Sequence, residues 1–184
     1  MKIFLPAALA LAVLLWSRSS GGAAAVDAPG DPFASLSEVF DQGFAAVVGW
    51  DIPARGEPYR AAIDAAEIAH GIPHNLLGRV LYQESRFRPD IISGAVRSSA
   101  GAMGIAQFMP ATAAEFGIDP LDPSVAIDAA GQYLAQLFSR FGSWSLALAA
   151  YNWGLGNVSK YGLDGAPEKT RDYVAQITAD VAVA

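Results

Sequence analysis

The sequence predicts a mainly α-helical domain over residues 57–184. Apolar side chains recur at intervals of three and four residues, and proline, glycine and aspartate stand where helices begin and end. No stretch of useful length alternates apolar and polar residues as a half-buried strand does, and the sequence contains no internal repeat. Alanine and glycine are abundant, which favours closely packed helices.

Proline and glycine define the first two helices of this domain. Pro58 suits the first position of a helix, and Gly71 suits the position just after its last turn. A second helix is predicted over residues 73–87, where leucine and valine side chains form an apolar stripe. Residues 88–106 are rich in Gly, Ser and Ala and predict a loop.

The second half of the domain follows the same punctuation. Pro110 and Gly117 bracket a short helix, and Asp122 with the proline after it predicts the N-terminus of a longer one. Two further apolar helices are predicted over residues 144–151 and 170–181. The apolar stripe of the longer helix consists of Ala130, Tyr133, Leu134, Leu137 and Phe141.

Two segments precede this domain. Residues 3–16 are uncharged and apolar behind Lys2, and Ala23 to Ala25 fit a cleavage site, so residues 1–25 predict a signal peptide and export to the periplasm or cell envelope. Because Arg18 follows the apolar run, a retained inner-membrane anchor through residues 3–16 is the alternative. Residues 26–56 predict a linker that carries one short helix, marked by Phe33, Leu36, Phe40, Phe44 and Val47.

Composition excludes several classes of function. The net charge is −6, which argues against nucleic-acid binding because phosphate is bound through Lys and Arg. The chain has no cysteine, so disulfides and thiolate metal sites are excluded. His70 and His74 are four residues apart, but Gly71 and Pro73 separate them and no His-Glu-x-x-His frame is present. We therefore expect no metal site and no cofactor.

Glu84 is the most informative residue, because it occupies the next position on the apolar stripe of the second helix. Its side chain is expected to face inward near the C-terminus of that helix. Desolvation and the negative end of the helix dipole both favour the protonated acid, with a pKa raised to about 6. Such an acid suits glycoside cleavage. The alternative is a structural glutamate paired with an arginine such as Arg86.

Three segments carry chemistry together. Gln83 to Phe87 supplies the acid, and Gly101 to Ala113 combines close-approach glycines with Gln107 and Met109. Ala149 to Gly156 places Tyr151 and Asn152 at a helix end. Amides, hydroxyls and aromatic faces of this kind recognise sugars.

In combination, these segments resemble the soluble lytic transglycosylase domain, which has a lysozyme-like fold related to goose-type lysozymes. The resemblance covers residues 57–176, and its motifs occur in the family's order. The motifs are Glu-Ser at 84–85, Ser-Ser-Ala-Gly-Ala-Met-Gly-Ile-Ala-Gln at 98–107, Ala-Tyr-Asn at 150–152 and Thr-Arg-Asp-Tyr-Val at 170–174. Two departures are Lys169, where the family has Glu, and a longer loop between Glu84 and Ser98.

The resemblance implies a role for each matched residue. Glu84 is the single acid and base, and Ser98 positions the reacting sugar. Gln107 and Met109 line the cleft. The remaining substrate-binding residues are Tyr151, Asn152 and Tyr173.

The implied substrate is the β-1,4 bond between N-acetylmuramic acid and N-acetylglucosamine in peptidoglycan glycan strands, and the implied product is a 1,6-anhydro sugar. Inverting hydrolysis needs a second carboxylate to activate water, and the matched second and third motifs contain none. Asp90 is nearby in sequence but is expected to be a solvated turn residue. The alternatives are a hydrolytic muramidase and a non-catalytic glycan-binding or assembly module of the cell envelope.

Overall fold

The computed structural model describes residues 49–181 and 183. The predicted signal peptide or anchor and the predicted helix of the linker lie outside the described residues. Within the described part, no helix is long and apolar enough to cross a membrane. In the part of the chain that the structure describes, eight α-helices follow a 3-10 turn at Glu57–Tyr59: α1 Arg60–His70, α2 Leu76–Ser85, α3 Pro89–Ile92, α4 Pro110–Phe116, α5 Pro123–Phe141, α6 Trp144–Trp153, α7 Leu155–Tyr161 and α8 Glu168–Asp180.

The prediction of a mainly α domain is confirmed, because the described residues contain helices and one isolated bridge between Met103 and Phe108. The expected helix ends are also present. Gly71 and Gly117 adopt the left-handed conformation after α1 and α4, and the Asp122 side chain accepts hydrogen bonds from two backbone N–H groups at the start of α5. These residues mark the helix ends because each one allows backbone groups that would otherwise be unpaired to form hydrogen bonds.

Two short helices were not predicted. α3 lies inside the stretch expected to be a loop, and α7 follows α6 after Gly154 alone. Each has at most seven residues and one buried side chain, Ile92 in α3 and Val158 in α7, so neither gives a periodic apolar signal.

Residues just before Glu57 also belong to the packed structure. Ile52 is buried in the core, and the Trp50 ring lies 5.7 Å from that of Tyr82. The sequence assigned both residues to the linker, because an isolated Trp and Ile carry no periodic signal. The boundary between linker and domain at residue 57 stays a prediction, but core packing extends at least to Ile52.

The core is built around α5, which packs against α1 and α6, while α6 packs against α8. Small residues allow these helices to approach closely: a Cβ at Gly131 of α5 would meet the His70 ring at 2.9 Å and Ala66 at 3.4 Å. The facing positions of α5 and α6 are rich in buried alanine, namely Ala126, Ala129, Ala130, Ala147, Ala149 and Ala150. The abundance of Ala and Gly in the sequence therefore reflects close helix packing, as expected.

Polar bonds join α2 to α8. Arg79 is 5% exposed, and its Nε donates to Asp180 Oδ2 at 2.7 Å. One turn later on α2, Gln83 Nε2 donates to Gln176 Oε1 at 3.0 Å. These bonds fix the last turn of α2 against α8, and Glu84 lies on that turn.

Glu67 of α1 caps the N-terminus of α2. Asn75, the residue before α2, has φ of 67° and makes no side-chain capping bond. Instead, the Glu67 carboxylate accepts from the N–H groups of Asn75 and Leu77 at 2.9 Å and of Gly78 at 3.3 Å. Burial raises the pKa of Glu67, and the three donors oppose that rise. A carboxylate from one helix thus replaces the local cap of the next.

We predict that Glu67→Ala destabilises the protein by about 3 kcal/mol, because three donors at a buried helix N-terminus lose their acceptor. Chemical denaturation monitored by circular dichroism measures the effect. Glu57→Ala is the matched control, since its exposed pair with Arg60 contributes little. Equal stabilities for the two variants would contradict this account of the α2 cap.

Candidate active site

Glu84 lies in the last turn of α2, where its side chain is half-buried, as its position on the apolar stripe predicted. The Tyr173 hydroxyl of α8 donates to Glu84 Oε1 at 2.9 Å. Burial raises the pKa of Glu84 to about 7, and the Tyr173 hydrogen bond acts in the opposite direction. Among the described residues, no cationic group lies within 4.0 Å of Glu84. The carboxyl is therefore poised between its acid and its anion near neutral pH.

The alternative pairing with Arg86 does not form. Arg86 is exposed, and its guanidinium lies 4.6 Å from the centre of the Tyr82 ring. Arg86 and Phe87 both have a left-handed backbone, with φ of 53° and 50°, so α2 ends abruptly at Ser85. This reversal directs Arg86 away from the Glu84 carboxyl and leaves that acid without a counter-ion.

Ser85 holds the reversal in place. Its side chain is fully buried, its Oγ donates to the Leu81 carbonyl at 3.0 Å, and the same Oγ accepts from the Phe87 N–H at 3.2 Å. The Phe87 ring is buried beside Tyr59 and Tyr82. The serine of the Glu-Ser pair therefore has a structural role, because it stabilises the turn that terminates the helix just after the acid.

A cleft of about 240 Å³ is lined by residues 106–109 and 151–154, together with Thr112 and Tyr133. The structure thus brings together the second and third segments singled out in the sequence. Gln107, Met109, Tyr151 and Asn152, four of the residues predicted to bind substrate, are among the lining residues. Among the described residues, no aspartate or glutamate lines this cleft, and Glu84 itself is not among the lining residues.

The loop that forms one wall of the cleft depends on Gly104. Met103 and Phe108 exchange two backbone hydrogen bonds of 3.1 Å, which closes a tight turn. Gly104 lies in that turn with φ of 76°, and a Cβ there would be 1.8 Å from the carbonyl oxygen of Pro120. Glycine is thus required both by the backbone conformation and by the space. Gln107 closes the turn with φ of 50°, and its Nε2 donates to the Gly104 carbonyl at 2.9 Å.

The tyrosines Tyr151 and Tyr173 lie close to Glu84. Burial and the nearby Glu84 charge raise the pKa of both phenols well above their usual value, so both remain protonated at neutral pH. Tyr151 donates to the Ala106 carbonyl at 3.0 Å and thereby joins α6 to the wall of the cleft. Tyr173 is not among the residues that line the cleft, and its hydroxyl instead contacts Glu84.

The helix α8 also orients Asn152. Thr170, one turn before Tyr173, is fully buried and donates from Oγ1 to Asn152 Oδ1 at 2.9 Å. Asn152 is exposed and lines the cleft, and no partner of its Nδ2 is present among the described residues. One helix therefore positions both the acid and an amide of the cleft.

Ser98 and Lys169 are exposed and are not among the residues that line the cleft. Ser98 Oγ accepts from the Ala102 N–H at 2.9 Å, so this side chain orders its own loop. Lys169 lies in the first turn of α8.

Asp90 pairs with Arg88, which lowers the pKa of the Asp90 carboxyl. Asp90 thus lies in the first turn of α3 and in an ion pair, whereas the sequence predicted a solvated turn residue of a loop.

Six residues that line the cleft were not among the predicted site residues: Ala106, Phe108, Thr112, Tyr133, Trp153 and Gly154. Tyr133 was assigned to the apolar stripe of α5, and its ring packs 5.6 Å from that of Tyr151. An aromatic residue on a packed stripe gives no sign that one edge reaches solvent. Trp153 follows Asn152 directly, so the unusual density of aromatic residues there was the available signal.

The family model for the transglycosylase SLT domain matches residues 61–173. Over 109 residues the chain is 36% identical to the peptidoglycan transglycosylase gp16 of Escherichia phage T7, covering 54% of this chain and 8% of that protein. It is 35% identical over 108 residues to the membrane-bound lytic murein transglycosylase F of Desulfosudis oleivorans, covering 54% of this chain and 23% of that protein.

Two further comparisons extend this picture. The chain is 31% identical over 120 residues to the transglycosylase of Enterobacteria phage PRD1, covering 65% of this chain and 41% of that protein. The solved structure of an inactive mutant of the lytic transglycosylase Slt from Pseudomonas aeruginosa superposes with a TM-score of 0.57 at 27% identity, covering 80% of this chain and 28% of that one. The chain thus spans less than half the length of these proteins, and the predicted lysozyme-like fold is confirmed.

We predict that Glu84→Gln stabilises the protein at pH 8 by about 2 kcal/mol and changes stability little at pH 4. The folded protein holds the Glu84 proton up to about pH 7, whereas the unfolded chain releases it near 4.5. Wild-type stability is therefore lost as pH rises through this window, at no more than about 1.4 kcal/mol per unit. Melting temperatures measured across the pH range test this, and a pH-independent difference between the two proteins would refute it.

We predict that Tyr173→Phe raises the pKa of Glu84 further, because the phenol donates to the ionised form and lowers that pKa. A carbon-13 NMR titration of the glutamate carboxyls measures the shift. Tyr161→Phe, at an exposed site on α7, serves as the control and is expected to leave the titration unchanged. An unchanged Glu84 titration in Tyr173→Phe would show that the hydrogen bond has no effect on the acid.

Proposed function

Because the chain belongs to the family of transglycosylase SLT domains, we propose that it is a lytic transglycosylase that cleaves the β-1,4 bond between N-acetylmuramic acid and N-acetylglucosamine in peptidoglycan. One observation carries the proposal. An acid with a pKa of about 7 lies close enough to Tyr151, a residue of the cleft, for its charge to raise the pKa of that phenol, and among the described residues no carboxylate lines the cleft. We further propose residues 57–184 as the catalytic domain, behind a linker over 26–56 and a signal peptide or anchor over 1–25.

The first step is proton donation by Glu84. The protonated carboxyl transfers its proton to the glycosidic oxygen, and the bond between that oxygen and C1 of the muramic acid breaks. The pKa near 7 keeps a large fraction of Glu84 protonated at neutral pH while leaving it acidic enough to donate. Tyr173 orients the carboxyl and stabilises the anion that remains after transfer.

The second step uses the same residue as a base. The substrate's own 2-acetamido group stabilises the cationic C1, so no bond to the protein forms. Glu84, now ionised, takes the proton of the C6 hydroxyl, and the C6 oxygen bonds to C1. The product is a 1,6-anhydro sugar, and no net water is consumed. A single carboxyl of intermediate pKa suits both directions of proton transfer.

The remaining predicted residues bind the glycan. Asn152 is held by Thr170 through its carbonyl, which leaves its Nδ2 to donate to a sugar oxygen or an acetamido carbonyl. Gln107 and Met109 provide an amide and an apolar contact on the opposite segment of the cleft. Tyr151 supports that wall through its bond to Ala106. Ser98 orders the loop that carries the glycines. We also propose that Ser98 contacts the reacting sugar.

The residues that line the cleft favour formation of an anhydro sugar over hydrolysis. An inverting hydrolase places a second carboxylate roughly 6.5–9.5 Å from the acid to activate water. Asp90 is paired with Arg88. Glu115 is exposed and does not line the cleft, although its charge contributes to the raised pKa of Tyr133. Glu115 is the best remaining acid for the muramidase alternative. A non-catalytic glycan-binding module has no need of an acid with a raised pKa.

The cell envelope is the proposed place of action. The relatives include membrane-bound murein transglycosylases, and residues 3–16 would direct export or anchor the chain in the inner membrane. The proposed partner is the peptidoglycan glycan strand, with no nucleic acid and no cofactor.

We predict that the purified full chain releases anhydro-muropeptides from peptidoglycan, and that Glu84→Gln reduces this release at least about a thousandfold because the acid and the base are both lost. Mass spectrometry of the released muropeptides measures the products. Glu115→Gln is the matched control and is expected to retain activity.

Two other outcomes would change the assignment. Reducing-end muropeptides that disappear in Glu115→Gln would establish a hydrolytic muramidase. No release by the folded wild type, with binding to peptidoglycan that survives Glu84→Gln, would establish a binding or assembly module.

A further inference from the structure

Three side chains of the kinds that bind metals lie close together outside the cleft, at the connection between α1 and α2. Asp64 and Glu67 lie one turn apart on α1, and His74 lies in the connection to α2. One potential ligand atom from each lies within 4.8 Å of the other two. His74 Nδ1 is 3.5 Å from Glu67 Oε2. The sequence offered only the His70 and His74 pair for such a site, and His70 instead bonds Asp128 of α5 at 2.8 Å.

Independent features mark this cluster as a place for a ligand. Asp64 Oδ1 is buried and has no hydrogen-bond partner among the described residues, and an oxygen in that state is costly unless something occupies the space beside it. A cavity of about 320 Å³ opens there, lined by Asp64, Glu67, Ile68, Ile72 and His74. The cavity is large enough for an ion with its remaining water ligands.

From this geometry we propose that Asp64, Glu67 and His74 bind a divalent transition-metal cation such as Zn²⁺. Two carboxylates and one imidazole match the oxygen and nitrogen ligands that zinc prefers, whereas Ca²⁺ and Mg²⁺ favour oxygen alone. Two atoms each about 2.1 Å from zinc are at most about 4.2 Å apart. The 4.8 Å spacing therefore has to close by less than about 1 Å, and the His74 side chain, 73% exposed, is free to move.

The cation would act on stability, because Glu67 is also the cap of α2. Its Oε1 accepts two backbone N–H groups of that helix start and its Oε2 accepts one, so Oε2 retains a lone pair for a metal. A bound ion would tie the last turns of α1 to the start of the helix that carries Glu84. Eight residues separate Leu76 from Glu84, or about 12 Å along the helix, so the ion takes no part in glycan cleavage. The proposal does not depend on the proposed function.

Titration of the metal-free full chain with ZnCl₂ tests the site. Isothermal calorimetry is expected to show one zinc per chain, and the melting temperature is expected to rise by about 5 °C at a hundredfold excess over Kd. Asp64→Asn is expected to weaken binding at least about tenfold. Asp128→Asn, which removes the carboxylate from the other histidine pair, is the matched control and is expected to bind like the wild type.

A second variant protects the test against misfolding. His74→Gln changes an exposed side chain and is expected to weaken zinc binding as Asp64→Asn does, with a circular dichroism spectrum like that of the wild type. MgCl₂ and CaCl₂ are expected to produce no comparable rise in melting temperature. No zinc binding by the wild type, or equal affinity in the wild type, Asp64→Asn and His74→Gln, would overturn the proposal. A larger effect of Asp128→Asn than of Asp64→Asn would place the ion at His70 and overturn it as well.

Discussion

The candidate active site depends on keeping one carboxyl group partly dehydrated without a counter-ion. Among the described residues, Glu84 has one hydrogen-bond donor, the neutral Tyr173 hydroxyl, and burial raises its pKa from 4.5 to about 7. An arginine in place of that tyrosine would hold the acid ionised and remove its proton-donating form. The hydrogen bonds between α2 and α8 hold these helices together, and among the described residues the acid itself has no charged partner.

Backbone conformations that most residues avoid are concentrated around the same site. Arg86 and Phe87 end α2 in the left-handed region, and Gln107 adopts it in the wall of the cleft. Each costs of order 1 kcal/mol and is held by specific contacts, such as the two hydrogen bonds of Ser85 and the close approach of Gly104 to Pro120. The left-handed residues Arg86 and Phe87 end α2 directly after Glu84 and Ser85. As a result, the Arg86 side chain lies over the Tyr82 ring.

Helix α8 joins the parts of the site that come from distant stretches of sequence. Tyr173 contacts the acid of α2, and Thr170 contacts the amide at the end of α6. Both side chains lie on one face because they are three residues apart on a helix. The geometry of the acid relative to the cleft is therefore fixed by one rigid element that packs on α6 through the core. The short helices α3 and α7 only connect these parts.

The sequence by itself determined the helical class, the ends of the longer helices and the inward position of Glu84, because apolar spacing and capping residues are local properties. It also identified Gln107, Met109, Tyr151 and Asn152, which now line one cleft. Only the tertiary structure decided that Glu84 has Tyr173 instead of Arg86 beside it, that Tyr133 and Trp153 reach the cleft, and that Asp64 and Glu67 meet His74. The pKa of an acid, the lining of a cleft and the ligands of a metal all depend on which side chains of different helices come into contact. Local sequence patterns do not determine those contacts.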